Sequence, residues 1–571
     1  MKEKEIELIL EQLQQSIQQA QQKVSRLGLV RLGLLLGLII CLLTLLIEKN
    51  LIFVLPLLVL ALLFGYFITL QDKYKQQLCH QQAKQKIYER IKQAKQAQYI
   101  ASGVLASEQD AYYIGDLDVV GKDSLYDCLA FSFLQAGQER LKERLCQPLN
   151  NQKEILEMQD VFQELGFHKV SVDYLCEEEL LDRRQKVRLT KEDLKVLPKM
   201  PSYLKLFTAI YPLGLIVCFL CQRFDLTIYL MLASLMMAGL HFRFFFQGYA
   251  LTSQRVMITS GFDKLCQVVL QTSFKNTYLT TLQKEMASLY AQKRQLNLFD
   301  QLLKVRYNPL LLMILDGLFF YDGWLYLILA RQKEASYLLT LQDKLADFSA
   351  LSSLAQWLKI KEQVCYPIFS EQLTALDLKH TLMSSCQAMG ADFKFEGGTV
   401  VITGSNMAGK TTFMRNIGLN LVLFYCGLPV TAKHFEAPLL KIHTSMRVAD
   451  RTQEGVSTFY GELLRIKEMV KASETKVPSL YLIDEIFKGT NLKDRIIGAK
   501  ATIERLNAPY NFLFVSTHDE ALTAHESVAI ENIHFSEHYE NNQIHFDYLP
   551  KKGIAQTTNA IYLMKMIGLL E

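Results

Sequence analysis

The chain has almost no net charge: 62 Lys and Arg face 58 Asp and Glu over 571 residues. Charge alone therefore implies neither nucleic acid nor an acidic substrate. Metal-ligand spacing is also missing from its 11 cysteines. The one C-x-x-C pair, Cys218 and Cys221, lies inside an apolar run without the polar surroundings that redox or zinc chemistry needs, so both read as small packing residues. The remaining thiols suit a reducing cytosol. Prolines are scarce, and residues 123–200 and 251–360 carry long helix-compatible patterns, which makes the middle of the chain mainly α. At this length one compact core is excluded, and several domains are expected.

Long apolar runs, in contrast, are plentiful. Residues 28–47 carry only Arg31, residues 51–70 carry no charge, and only Glu48, Lys49 and Asn50 separate them. Roughly 20 apolar residues span a bilayer as helix, so the pair reads as a tight transmembrane hairpin. Its upstream flank offers Lys23, Arg26 and Arg31, and its downstream flank Lys73, Lys75, Lys84, Lys86, Arg90, Lys92 and Lys95. The positive-inside bias puts both flanks in the cytoplasm. A second block, 206–221 and 226–240, breaks at Gln222, Arg223, Phe224 and Asp225. Lys205 and Arg243 resemble snorkelling anchors, and Tyr203, Phe207, Phe244, Phe245, Phe246 and Tyr249 cluster near the expected interfaces. A second membrane hairpin over 203–246 is expected, with buried core helices as the alternative. In 310–329, Asp316 and Asp322 interrupt the run, and a buried soluble helix is expected there.

Residues 3–23 and 71–98 are rich in Gln, Lys, Glu and Ala and read as helical stalks flanking the first hairpin. Ile6, Ile9, Leu10, Leu13 and Ile17 form a narrow apolar stripe on the first. The basic residues of the second could meet anionic headgroups or nucleic-acid phosphates, and a solvated helix face is the commoner explanation.

Near residue 397 the chain changes character. Gly397-Gly398 signals a turn, Thr399-Val400-Val401-Ile402-Thr403 reads as a buried strand, and Gly404-Ser405-Asn406-Met407-Ala408-Gly409-Lys410-Thr411 satisfies G-x-x-x-x-G-K-[ST] before a helix-compatible run from Thr412. Loop N–H groups and the helix N-terminus would face phosphate oxygens, Lys410 would neutralise β and γ charges, and the Thr411 hydroxyl would ligate Mg²⁺. A second apolar strand, Ser479-Leu480-Tyr481-Leu482-Ile483, ends in Asp484 and Glu485. Asp484 would hold Mg²⁺, usually through water, and Glu485 would orient or deprotonate the attacking water. A third, Phe512-Leu513-Phe514-Val515, runs into Ser516-Thr517-His518, which would put an imidazole near the γ-phosphate as a catalytic or sensing group.

These residues resemble the MutS family, whose loop reads G-P-N-M-[GA]-G-K-[ST]; Gly404, Asn406, Met407, Ala408, Gly409, Lys410 and Thr411 match, and Ser405 departs from the usual proline. The likeness extends to Asp484-Glu485-Ile486-Phe487-Lys488-Gly489-Thr490 and to Ser516-Thr517-His518. Gly455-Val456-Ser457-Thr458-Phe459 with Glu462 is similar to the segment that, in this family, presents a serine to the nucleotide of the opposite subunit. The resemblance implies that Ser457 acts in trans within a homodimer, where the plainer alternative is a helix cap. The tail from Phe546-Asp547-Tyr548-Leu549-Pro550 through Asn559-Ala560 to Gly568-Leu569 also looks like the family's ending. Fainter likeness at Gly137-Gln138-Glu139-Arg140-Leu141, Gln147-Pro148-Leu149 and Ile155 suggests the start of the family's helical core, or lever. No mismatch-reading N-terminal domain or Phe-x-Glu wedge is visible.

The expected organisation is a polar helical N-terminus over 1–27, a transmembrane hairpin over 28–70 and a basic linker over 71–122. A MutS core-like helical domain with the second hairpin follows over 123–365, and an α/β P-loop NTPase domain of the ABC-ATPase-like kind over 366–571. The expected function is a multi-pass cell-membrane ATPase with its ATPase domain in the cytoplasm, using ATP and Mg²⁺. DNA is the partner the resemblance implies; the partner protein is unknown. A membrane switch without mismatch recognition is the alternative. The L-S-G-G-Q segment of related transporters is missing, with Gly455 to Phe459 in its place.

Overall fold

The computed structural model describes residues 2–48, 52, 54–107, 110–182, 197–305, 309–330, 336–384, 387–405, 408–447, 458–540 and 543–555. The chain packs as two units. One comprises Met1–Phe131, Leu141–Ser171 and Ser353–Glu571, and the other Ser132–Arg140 and Val172–Ser352. The expected core domain over 123–365 thus contains residues of both.

The first unit begins with two long helices, α1 (Glu3–Glu48) and α2 (Val54–Lys95). They run antiparallel, since Glu7 meets Lys92, Arg31 meets Gln71 and Gly37 approaches Leu60. At 1.5 Å per residue α1 is roughly 69 Å long. No break separates the expected hairpin at 70 from the expected linker at 71, because the helix-favouring Gln, Lys and Ala residues simply extend the apolar helix.

Burial changes sign along this pair. Near the open ends Ile6, Ile17, Ala83, Ile87 and Ile91 are buried, with Lys92 Nζ 2.8 Å from Glu7 Oε1 across the seam. Toward the turn the apolar side chains face outward, with Leu29 and Leu55 each 71% exposed and Leu62 75%. An exposed apolar surface of this extent marks a protein–protein or membrane contact. Glu3–Cys41, Leu55–Lys95 and Ser202–Leu220 are long and apolar enough to cross a membrane. Two bent pairs, Phe224–Leu240 with Phe242–Ala250 and Leu311–Phe319 with Tyr321–Ala330, pass the same test of length and composition.

In the second unit Ser202–Leu220 and Phe224–Leu240 form two helices joined by a turn in which Gln222 has φ +54°. Cys221 is exposed at that turn, which corrects its reading as a packing residue: the run breaks at the cysteine itself. Leu204, Tyr211, Phe245, Tyr249, Phe320 and Tyr326 build an aromatic core. The single helix expected over 310–329 is instead two, Pro309–Phe319 and Tyr321–Ala330, bent by 83°. Phe320 takes φ +50° and buries its ring in that core, and Asp316 Oδ1 accepts the Asp322 N–H at 2.8 Å, satisfying an amide freed at the new helix start. Met313, Ile314 and Phe319 are exposed, so the expected burial holds for one face only.

All described strands lie in the first unit. They are β1 (Ile368–Phe369), β2 (Leu373–Leu378), β3 (Ala391–Phe395), β4 (Gly398–Thr403), β5 (His434–Ala437), β6 (Lys441–Ser445), β7 (Ser479–Asp484), β8 (Phe512–Ser516), β9 (Ile530–His534), β10 (Glu537–Glu540), β11 (Gln543–Phe546) and β12 (Lys551–Lys552). A six-stranded sheet has the order β12-β9-β4-β8-β7-β6, with every pair parallel except β12 with β9. Its central strands read as near-continuous apolar runs because both faces are covered. A smaller sheet has the order β1-β5-β2-β3, and β10 and β11 form a separate pair.

Candidate nucleotide site

Strand order determines what can meet. Since β8 lies between β4 and β7, with Ser516 in register with both Ile402 and Asp484, the loop leaving β4 and the carboxylates ending β7 must flank Ser516-Thr517-His518. All three segments leave the carboxyl ends of parallel strands, where open α/β sheets build ligand crevices. The helix after the loop, Lys410–Tyr425, is anchored by Phe413, Met414, Ile417 and Leu421, all buried.

Two glycines make the loop possible. Gly404 has φ +137° and Gly409 φ +102°, and a Cβ on Gly404 would sit 2.7 Å from the Phe535 carbonyl oxygen. Ser405 donates its hydroxyl to Glu537 Oε2. Asn406 and Met407 lie outside the described residues. Ala408 is fully buried.

Lys410 Nζ donates to the carbonyls of Gly404 at 2.6 Å and Ser405 at 3.0 Å, and lies 3.4 Å from His518 Nε2. Burial pushes this ammonium below the usual lysine range, partly offset by Glu485 and Asp484. The Thr411 hydroxyl donates to Asp484 Oδ2 at 2.8 Å, and Ser516 Oγ donates to Asp484 Oδ1. The pair expected at a cation thus stands together, both partners supplying hard oxygen. No group of three or more His, Cys, Asp or Glu is placed for a metal among the described residues. Two protein oxygens fit Mg²⁺, which retains waters and takes phosphate oxygens rather than an all-protein cage.

Glu485 follows with φ +52°, a left-handed turn that redirects the chain immediately after β7. Its N–H donates to the Ser516 carbonyl at 3.1 Å, its Oε1 lies 3.3 Å from His518 Nε2 and its Oε2 lies 3.0 Å from Lys488 Nζ. The hydrogen bond from His518, then Lys488, hold its carboxyl at about 2. These contacts fix the carboxylate beside Lys410, the place from which it would orient or deprotonate a water. Buried Glu462 accepts the Phe487 N–H and supports this turn from the helix Thr458–Glu474. Ser457 lies outside the described residues.

Sequence reasoning missed the cavity beside the loop. It measures about 420 Å³, and Gly409, Thr412 and Phe413 line it together with His380, Met383 and Tyr548. Its volume and mixed polar and apolar lining suit a nucleoside-sized ligand. Tyr548 had a signal, in the tail segment around Pro550, but His380 and Met383 carry none that a single sequence reveals. A second unforeseen feature is an aspartate anchor on the short helix Tyr112–Asp116. Buried Asp116 accepts from Thr444 Oγ1 at 2.8 Å, the Met446 N–H at 3.0 Å and Arg465 Nη1 at 3.1 Å. Asp118 pairs with Arg447 and Arg415, the latter on the loop's own helix.

With this geometry in hand, the similarity to known proteins becomes specific. Residues 400–571 match MutS domain V. A stretch of 254 residues is 31% identical to the DNA mismatch repair protein MutS of Shouchella clausii, covering 42% of this chain and 29% of that protein. The protein of the same name from Thermus thermophilus is 29% identical over 240 residues, with the same coverage. That of Halalkalibacterium halodurans is 33% identical over 187 residues, covering 32% of this chain and 21% of the relative. The chain thus matches less than a third of the length of these curated relatives.

Proposed function

We infer from the MutS domain V at 400–571 that the chain is a MutS-like ATPase, tethered to a membrane by the α1–α2 hairpin and the apolar helices of the second unit. The observation that carries this reading is the convergence of Lys410, the Thr411–Asp484 pair and the Glu485–His518 pair at one end of the sheet. ATP would lie with its phosphates over the loop and its nucleoside in the adjoining cavity. Mg²⁺, held through Thr411 and Asp484, would supply charge neutralisation on the phosphates. Lys410 binds the phosphates, Glu485 orients water, and His518 fixes the Glu485 carboxylate while reporting on what lies beside Lys410. Ser457 of a second copy would complete the site, which makes a homodimer the working form.

The named role of the relatives supports DNA as a partner. Salt-sensitive binding of DNA by the purified chain in either nucleotide state tests this; no binding in both states removes DNA from the reading. A second reading, an ATP-driven membrane switch, is favoured by one continuous connection. α2 runs from apolar Val54 to Lys95, whose Nζ lies 2.8 Å from Glu362 Oε1, and Tyr99 just beyond donates to the Leu382 carbonyl at 2.7 Å. Leu382 adjoins Met383, which lines the cavity beside the loop. Turnover in nanodiscs with and without several DNA structures separates the readings. Stimulation by DNA favours the first, and a rate indifferent to every DNA favours the second.

A further inference from the structure

A second cavity, of about 470 Å³, lies at the base of the hairpin, lined by Lys2, Glu5, Lys361, Glu362, Lys379 and His380 among others. Its cations are poorly matched. Lys361 is 5% exposed; its ammonium donates to the Met383 carbonyl at 2.9 Å and lies 5.4 Å from the centre of the Trp357 ring. Among the described residues neither Lys361 nor Lys379 has a carboxylate within ion-pair distance, and Lys379 acts on Asp377 only at longer range. Glu362 is engaged by Lys95, and Glu5 accepts the backbone N–H of Lys2. Burying an ammonium with neutral partners is costly, and Lys361 is accordingly held below the usual lysine range by burial, with Lys95 adding to it.

We propose that this cavity is a binding site for a small, soluble, phosphate-bearing anion, held by Lys361 and Lys379 with Lys2 at its mouth. The volume admits a ligand larger than a single phosphate. Three lysines against two carboxylates that already have partners call for more than one negative charge. A lipid headgroup is the wrong source, because along α1 the apolar run starts roughly 39 Å from Lys2. His380 and Met383 belong to this cavity and to the one beside Gly409 alike, so the anion site and the proposed nucleoside site share a wall.

The site stands independently of ATP binding, and the experiment keeps the two separate. The full chain carrying Lys410→Ala, in nanodiscs of neutral lipid, is titrated with inorganic pyrophosphate by calorimetry, with Tm measured in parallel. Binding is expected despite the disabled loop, with a rise in Tm. Adding Lys361→Met or Lys379→Met weakens it by ~10-fold or more, the scale of one lost charge-assisted contact, and Lys361→Arg retains most of it. Lys379 is less buried than Lys361, so its variant carries the test if Lys361→Met fails to fold. No binding to the Lys410→Ala protein, an affinity indifferent to Lys361→Met and Lys379→Met, or a requirement for anionic lipid would each overturn the proposal.

Discussion

His518 Nε2 lies 3.3 Å from Glu485 Oε1, and the same nitrogen lies 3.4 Å from Lys410 Nζ. One imidazole thus stands between the group that would hold phosphate and the group that would hold water, so removing either neighbour alters the other's surroundings. Replacement Glu485→Gln keeps the shape and loses the charge. Turnover should fall by ~10²- to 10⁴-fold while ATP binding persists. Steady-state hydrolysis and equilibrium nucleotide binding check this, and a variant turning over at the native rate excludes Glu485 from positioning water.

Acid should destabilise the protein in two windows. Burial, with Arg415 and Lys361 nearby, lowers the His380 imidazole to about 4, and burial lowers that of His443, stacked 5.2 Å from Tyr481, to about 4 as well. Between pH 6.5 and 4 the unfolded chain therefore binds protons that the native one refuses, so stability falls as pH drops through this range. His443→Gln should remove about one proton's worth of that slope in a Tm-against-pH series. Glu485, depressed to about 2 from an ordinary 4.5, adds stability present above 4.5 and lost as pH falls toward 2. Glu485→Gln should flatten only this lower window.

Gly409→Ala places a Cβ 3.0 Å from Tyr548 Cδ1 at φ +102°. The left-handed conformation alone costs roughly 1–2 kcal/mol in an L-residue. ATP affinity should drop with little change in secondary structure by circular dichroism. Gly33→Ala, in α1 with open space around its Cβ, should leave affinity unchanged.

Asp116→Ala strands Arg465 and leaves the Met446 N–H without its acceptor. Breaking a buried pair of this kind costs roughly 3–5 kcal/mol. Urea unfolding of the nucleotide unit should register it, and Asp118→Ala, whose partners are more exposed, should cost less.

The outward apolar side chains of the hairpin give a test of the membrane reading. Leu36→Lys and Leu62→Lys should each oppose insertion by roughly 2.5–3.5 kcal/mol if they lie at bilayer depth. Alkaline extraction of membranes from cells expressing the doubly substituted chain should then release more protein than from native membranes. Equal retention would count against the first hairpin as an anchor.

Much of the candidate site is legible in the sequence because its parts are local. A glycine loop, a strand ending in two carboxylates and a Ser-Thr-His each declare themselves within eight residues, and the parallel sheet then brings them together. The long helices are legible for the same reason. What escapes is non-local: Asp116 reaches β6 across more than 300 residues, and His380 and Met383 meet the loop only through folding. The break at Phe320 escapes because its cause, a ring drawn into an aromatic core and an aspartate capping the next helix, has no periodic signature. Apolar patterning predicted a helix over 310–329, and tertiary packing divided it.

The nucleotide unit is assembled from three separated stretches of chain, and this sets a timetable. Lys95 and its partner Glu362 are 267 positions apart. At 5–20 residues per second a ribosome needs roughly 13–53 s to make the second after the first. Throughout that interval the base of α2 waits for the Trp357–Ile360 helix against which it finally packs. The α1–α2 pair is therefore synthesised long before the residues on which its base finally rests, and its exposed apolar side chains must be accommodated while the rest of the unit is still unmade.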